Sequence, residues 1–97
     1  MNAVDYRKIS DFFNALAHPI RVEIAVALLK NKECVSDIKE LLNVKQPNVS
    51  QHLSVLKSHG IVDWRQEGKK KCYYLKNHGL MKYILNALKK DKIHYFK

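Results

Sequence analysis

Long apolar runs are missing from this 97-residue chain, and nothing in it approaches the roughly 20 consecutive residues that cross a bilayer as a helix. The opening stretch from Met1 to Arg7 has no apolar signal core, so no export signal is read and the cytoplasm is the expected location. Cysteine is scarce. Two of them, far apart, do not build the disulfide framework of a small secreted domain. Acidic residues are short as well: nine Asp and Glu against eighteen Lys and Arg leave a formal charge of +9. Such an excess calls for an anionic partner, most simply nucleic acid, with an anionic membrane surface as the rival. Paired carboxylates, a nucleophile beside a base and a glycine-rich phosphate loop are all lacking, so neither an enzyme nor a cofactor is expected. The chain shows no internal repeat, linker or low-complexity segment.

What is present is enough apolar residue, 46%, for one globular domain over residues 1–97. At this length a domain is near the low end of what buries its own core, and helix-rich domains of the kind often gain burial by dimerising.

The organising stretch is Val44 to Leu56. Val49, Leu53 and Leu56 fall at i, i+4 and i+7, one stripe of a helix that Pro47 is suited to open. The opposite side carries Asn48, Gln51 and Ser54, with Gln46 and Ser50 at its edge. These side chains both give and take hydrogen bonds, as a surface laid against base edges requires; a merely solvated face is usually richer in Lys and Glu. Val35 to Asn43 reads as a preceding short helix with Ser36 as N-cap, and Asn43–Lys45 as the tight connection. Together they make a helix-turn-helix over about 36–58.

On the N-terminal side, Tyr6, Ile9, Phe12, Phe13 and Leu16 predict a helix over 5–16 whose wide apolar face either packs in the core or partly covers a partner subunit. Ala17-His18-Pro19 breaks it, with His18 as a cap or hinge residue. Ile20 to Lys30, apolar nearly all round, belongs at the centre of a domain. Cys34-Val35 is a short extended segment. On the C-terminal side, Lys57 and His59 suit the negative end of the organising helix, and Gly60 its left-handed stop. Ile61–Arg65 and Cys72–Leu75 read as strands and residues 66–71 as their loop, a hairpin over about 61–75. Three consecutive lysines there either protect a solvated edge or lie along a phosphate backbone. A hairpin directly after a helix-turn-helix is the arrangement of a winged helix. His78-Gly79 breaks the chain again, and Leu80 to Lys90 is a last helix whose apolar stripe exceeds what so small a core consumes. The fold expected is mainly α with a small β-hairpin, a dimeric winged helix-turn-helix with dimerisation helices about 5–16 and 79–90.

Five blocks in order now resemble the ArsR/SmtB type of bacterial winged-helix repressors: Ala17-His18-Pro19-Ile20-Arg21, Cys34 to Ile38, Gln46 to Leu53, Val55 to Val62, and Gly68 with Tyr73-Tyr74-Leu75. The resemblance covers essentially residues 5–90. It implies a homodimer built on the first and last helices, two recognition helices in successive major grooves of a palindromic operator, and repression that ends when an inducer lowers DNA affinity. Carried over, the base-reading positions are Gln46, Asn48, Ser50 and Gln51, and the wing positions are Arg65, Lys69 and Lys70. His52 and Lys57, at the flank and end of the same helix, complete the DNA-binding set, with His52 read as a packed or DNA-edge residue rather than a ligand. Lys45 departs from the family's usual Ser; it weakens the cap and adds a charge within reach of phosphate.

The sensor departs further. Metal-sensing members carry Cys-Val-Cys where this chain has Cys34-Val35-Ser36, and one thiolate does not make a soft-metal site. For the family's other site only Asp91 and His94 are available, near the end, so no metal is expected. In winged helices the segment before the helix-turn-helix pairs with the second wing strand, which would bring Cys34 and Cys72 together. The two are then either small buried hydrophobes or a thiol sensor. The leading reading is a sequence-specific DNA-binding repressor released by an inducer or a thiol signal. The alternative is a nucleoid- or RNA-binding basic protein without base choice, which predicts stacking aromatics on an exposed sheet.

Overall fold

A computed structural model of the chain describes residues 3–30, 33, 34, 38 and 49–88, with Glu33 and Cys34 as backbone alone. The helix expected over 35–43 (apart from Ile38), the turn at 43–45, the Pro47 entry, the Lys45 substitution, and the Asp91/His94 pair lie outside the described residues.

Helix α1 spans Tyr6–Ala15 and is capped by Asp5, whose Oδ1 accepts from the Lys8 amide at 3.0 Å. That bond satisfies one of the donors a helix start leaves open. Leu16 ends the helix, and the chain turns through 89° into α2, Pro19–Lys30. Proline at the first position of α2 surrenders an N–H that had no partner to lose. His18 caps this helix through its ring: Nδ1 accepts from the Ile20 amide at 3.1 Å. Ile24, Ala25, Ala27 and Leu28 of α2 are buried, so the helix does occupy the centre, although Val26 is left facing out.

Strand β1 is Glu33–Cys34. Ile38 is helical and fully buried. Helix α3 spans Val49–Ser58. It ends in a glycine cap: Gly60, at φ +75°, gives its amide to Lys57 O, and Ile61 gives its own to Leu56 O. This pairing satisfies two terminal carbonyls and needs the left-handed conformation that glycine adopts at little cost. Strands β2, Val62–Glu67, and β3, Lys70–Leu75, form the hairpin, and the sheet order is β1-β3-β2, antiparallel throughout. Within the expected span of about 61–75, the strands are therefore longer and the turn tighter than expected. Glu67 pairs with Lys70 across a turn of Gly68 and Lys69, so Lys70 and Lys71 stand in β3 rather than in a loop. Gly68 takes φ +63° at that turn.

Helix α4 runs His78–Ala87, beginning two residues before the expected Leu80. Asn77 caps it by accepting from the Leu80 amide, which outweighs the cost of Gly79 in the first turn. His78 Nε2 lies 2.8 Å from the Leu29 carbonyl, a bond the ring makes only by donating, and it ties the start of α4 to the end of α2.

One core joins these elements: Ala15, Ile24, Leu28, Ile38, Val49, Leu53, Leu56, Ile61, Val62, Tyr73, Leu75 and Met81. Helices α3 and α2 pack across it, and the sheet closes one end. No single helix among the described residues is long and apolar enough to cross a membrane.

Candidate nucleic-acid interface

Helix α3 presents two different faces. Val49, Leu53 and Leu56 are fully buried, while Ser50, Gln51 and Ser54 are exposed. A helix fixed by its apolar stripe on α2 therefore holds three hydrogen-bonding side chains outward. Gln46 and Asn48, expected to extend this row, lie outside the described residues.

Of the two places expected for His52, packed or at the DNA edge, the structure has the packed one: the residue is 7% exposed. The reason is its place beside the apolar stripe, three residues after Val49 and four before Leu56, where a ring is packed whatever its polarity. Its Nδ1 accepts from Arg21 Nε at 3.2 Å, so its proton sits on Nε2, and that buried atom has no partner. The Arg21 guanidinium reaches on to the Ala15 carbonyl at 3.3 Å, and the His18 ring lies against that of His52 with centroids 4.4 Å apart. Arg21 thus ties the end of α1 and the start of α2 to α3.

Burial first, then the neighbouring His18 and Arg21, hold His52 below its ordinary pKa of 6.5. The sign follows from linkage: near and below 6.5 the unfolded chain binds a proton there that the folded chain resists, so stability rises with pH through that window. The stabilising share of His52 is present above pH 6.5 and is lost on acidification. Thermal melts from pH 5 to 7.5 are expected to show this slope, and a His52→Gln variant to show a shallower one; equal slopes would clear His52 of the effect.

Lys57 stands at the end of α3 with its ammonium 3.8 Å from Asp63. Both groups are well exposed, so the pair is weak and Lys57 stays available to a phosphate. On the wing, Arg65, Lys69, Lys70 and Lys71 are all exposed. Two of these cations rest on rings: Arg65 lies 5.2 Å above Tyr74, and Lys71 lies 4.4 Å above Trp64. Both platforms come from the hairpin itself, which aims the cations without long-range support. The sequence singles out Lys71 only within its run of three lysines and Arg21 only within the block Ala17 to Arg21, without either contact. Strand alternation next to Trp64 would have found the first; nothing local would have found the second, whose partner lies 31 residues on.

Behind the wing, the register sets Cys34 opposite Cys72, and Arg65 opposite Cys72 on the other side. Cys72 is fully buried and disulfide-bonded. Among the described residues no group of three or more His, Cys, Asp or Glu is arranged to hold a metal.

Between α1 and α4 lies an apolar groove of about 360 Å³ lined by Ile9, Phe12, Phe13, Leu80, Ile84 and Lys8. In its lining Ile9, Phe13 and Leu80 are exposed, and so are Tyr6, Tyr83 and Leu88 elsewhere on or at the ends of the same two helices.

The family model described as bacterial regulatory protein, arsR family, matches residues 18–63. The HTH-type transcriptional repressor SmtB of Mycobacterium tuberculosis is 37% identical over 78 residues, which is 80% of this chain and 58% of that one. The chain thus spans little more than half the length of that relative. The HTH-type transcriptional regulator MJ1325 of Methanocaldococcus jannaschii is 39% identical over 71 residues, 72% of this chain and 80% of the other. Among solved structures, reduced HlyU from Vibrio cholerae superposes with a TM-score of 0.76 at 29% identity, covering 87% of this chain and 90% of its own. The winged helix-turn-helix fold, the outward polar face of α3 and these relatives agree, and the chain belongs to the ArsR family of bacterial regulatory proteins.

Proposed function

We propose that the chain is a sequence-specific DNA-binding repressor that acts as a homodimer on a palindromic operator. The observation that carries this reading is α3: three short hydrogen-bonding side chains held outward on a helix whose other face is fully buried. Such a helix fits the width of the major groove, where each base pair offers a distinct donor and acceptor pattern. In this reading Ser50 and Gln51, with Gln46 and Asn48 ahead of them, read bases. Arg65, Lys69 and Lys70 on the wing, and Lys57 at the helix end, contact phosphate and supply salt-sensitive affinity. His52, buried against Arg21, acts by holding the helix. The relatives named repressors support the biological direction, occlusion of a promoter.

The division of labour predicts the outcome of one substitution on the wing. Lys70→Ala is expected to weaken operator and random duplex about equally and to lower the salt slope by about one unit. Titrations at several salt concentrations check it. A loss confined to the operator would mean that Lys70 reads sequence, and the split between wing and helix would fall.

Dimerisation is supported by the groove between α1 and α4 and by the exposed apolar side chains Ile9, Phe13 and Leu80 in its lining. An exposed apolar patch of this kind on a small domain marks an interaction surface. A second copy, facing the same patch, covers it about a two-fold axis and sets two α3 helices apart for two half-sites.

A second reading concerns release and rests on Cys72. It is disulfide-bonded, the sequence has one other cysteine, and that residue, Cys34, is its partner in the strand register. A Cys34–Cys72 bond would close a loop of roughly 40 residues containing the helix-turn-helix and β2. It would form as two thiols reduce a low-molecular-weight disulfide to two thiols, and the reverse exchange would open it. Since Arg65 stands across from Cys72, the bond bears on the wing. Operator titrations with reduced and oxidised protein are expected to differ by about 5-fold or more. Equal affinities would leave the cysteines as packing.

A further inference from the structure

We propose that His18, Arg21 and His52 form a positioning joint that holds α3 in its reading pose only while the His52 imidazole is neutral, so that operator binding is lost on mild acidification. The proposal rests on the reading of α3 as the DNA-contacting helix and adds a control to it.

The geometry allows one protonation pattern. His52 Nδ1 accepts from Arg21 Nε at 3.2 Å, and His18 Nδ1 accepts from the Ile20 amide at 3.1 Å. A ring nitrogen accepts only when it carries no proton, so each bond requires a neutral ring. Protonating His52 sets an N–H against the Arg21 N–H and a cation beside a guanidinium. The neighbouring His18 ring, 4.4 Å away, is held in place by its own bond to the Ile20 amide and gives a charged His52 no acceptor.

The surroundings offer no relief. From the α1–α2 corner the group facing His52 is the His18 ring; from α2 it is Arg21; from the end of α1 it is the Ala15 carbonyl, already taken by Arg21. On α3 the nearest described cation, Lys57, is turned to Asp63, which is the carboxylate β2 brings to this end of the helix. Among the described residues neither ring has a carboxylate bonded to it. His52 Nε2 is buried without a partner, so a second ring proton finds no acceptor on the far side. Acid therefore has one outlet: the joint opens and α3 moves off the α1–α2 corner. The buried position of His52 shifts this event below the ordinary imidazole range.

The predicted direction is opposite to the usual one. Added positive charge on a basic protein strengthens its hold on phosphate, so a simple charge effect would tighten binding as pH falls.

The experiment is an anisotropy titration of the full chain on a selected operator duplex at constant ionic strength, from about pH 8 to about pH 5.5. Wild-type affinity is expected to fall about 10-fold or more across this range, a coupling of ordinary size. His52→Gln offers Arg21 an amide oxygen that does not titrate; it is expected to bind within about 3-fold of wild type at pH 8 and to keep that affinity in acid. In the wild type, the His52 ring carbon shifts are to be followed by NMR over the same range; the loss of affinity must track their titration. Constant or rising affinity in acid overturns the proposal, as does an affinity loss at a pH where the His52 ring does not titrate. If no duplex is preferred over random DNA at pH 8, the reading of α3 has failed instead. The joint is then judged by whether the α3 amide signals move with ring protonation, and independent movement overturns it.

Discussion

Ile84→Glu is expected to yield a monomer that no longer holds an operator at concentrations where the wild type is saturated. Ile84 is half-buried on α4 and lines the groove with Ile9, Phe12, Phe13 and Leu80. Among these apolar neighbours a carboxylate in the isolated chain still reaches water, because the groove is open. In a dimer it would be covered, and an unpaired buried charge costs several kcal/mol. The free fold is thus spared while the pairing is lost. Operator affinity falls with it, because two linked half-site contacts gain from effective concentration and one alone does not; the gain is on the order of 10² to 10⁴. Sedimentation and operator titration of the same preparation check both halves. A variant that stays dimeric at tens of micromolar, roughly ordinary working concentrations, would put the dimer elsewhere.

Gln51→Ala is the second large effect. Gln51 is exposed on the outward face of α3, between Ser50 and the inward-turned His52, and its amide can meet both an acceptor and a donor on one base. Removing it is expected to cost roughly 1–3 kcal/mol on the preferred site and to relax base choice at that position, with little change on random DNA. The side chain makes no hydrogen bond within the protein among those of the described residues, so the fold has little to lose. Thermal melts of the variant should match the wild type. If random duplex weakens as much as operator, Gln51 contacts backbone and the base-reading face is wrongly drawn.

Much of this architecture was legible because its signals are local. Asp5 before an apolar-periodic run, Pro19 at a helix start and Gly60 at a helix end each state a boundary within a turn of themselves, and all three stand where those rules put them. Where two local signals competed, the weaker was followed: Gly79 suggested a break, but the Asn77 cap starts α4 ahead of it. The loop at the wing tip is shorter than expected for another reason. A run of lysines reads as loop by composition, yet pairing of Lys70 with Glu67 and of Lys71 with Gln66 extends β3 through it, and Trp64 gives the Lys71 stem and charge a place to lie.

The site was legible on one face only. The outward amides and hydroxyls of α3 followed from period and chemistry. His52, at the flank of the apolar stripe, was legible only as packed or at the DNA edge, and the packed place is the one it takes. Its partner Arg21 sits in another helix, and no spacing rule links the two. The Cys34–Cys72 register came from the resemblance to winged helices rather than from either cysteine's surroundings, and the strand pairing carries it.

The central claim is that two copies of α3 read bases on a symmetric site. The most direct test is to select duplexes from a random pool with the full chain at physiological salt and determine what is retained. The account predicts an inverted repeat whose half-sites lie about one helical turn apart, 10–10.5 base pairs between centres, or a multiple of it. Retention of duplexes with no shared sequence, bound in proportion to length and lost with rising salt, would contradict it.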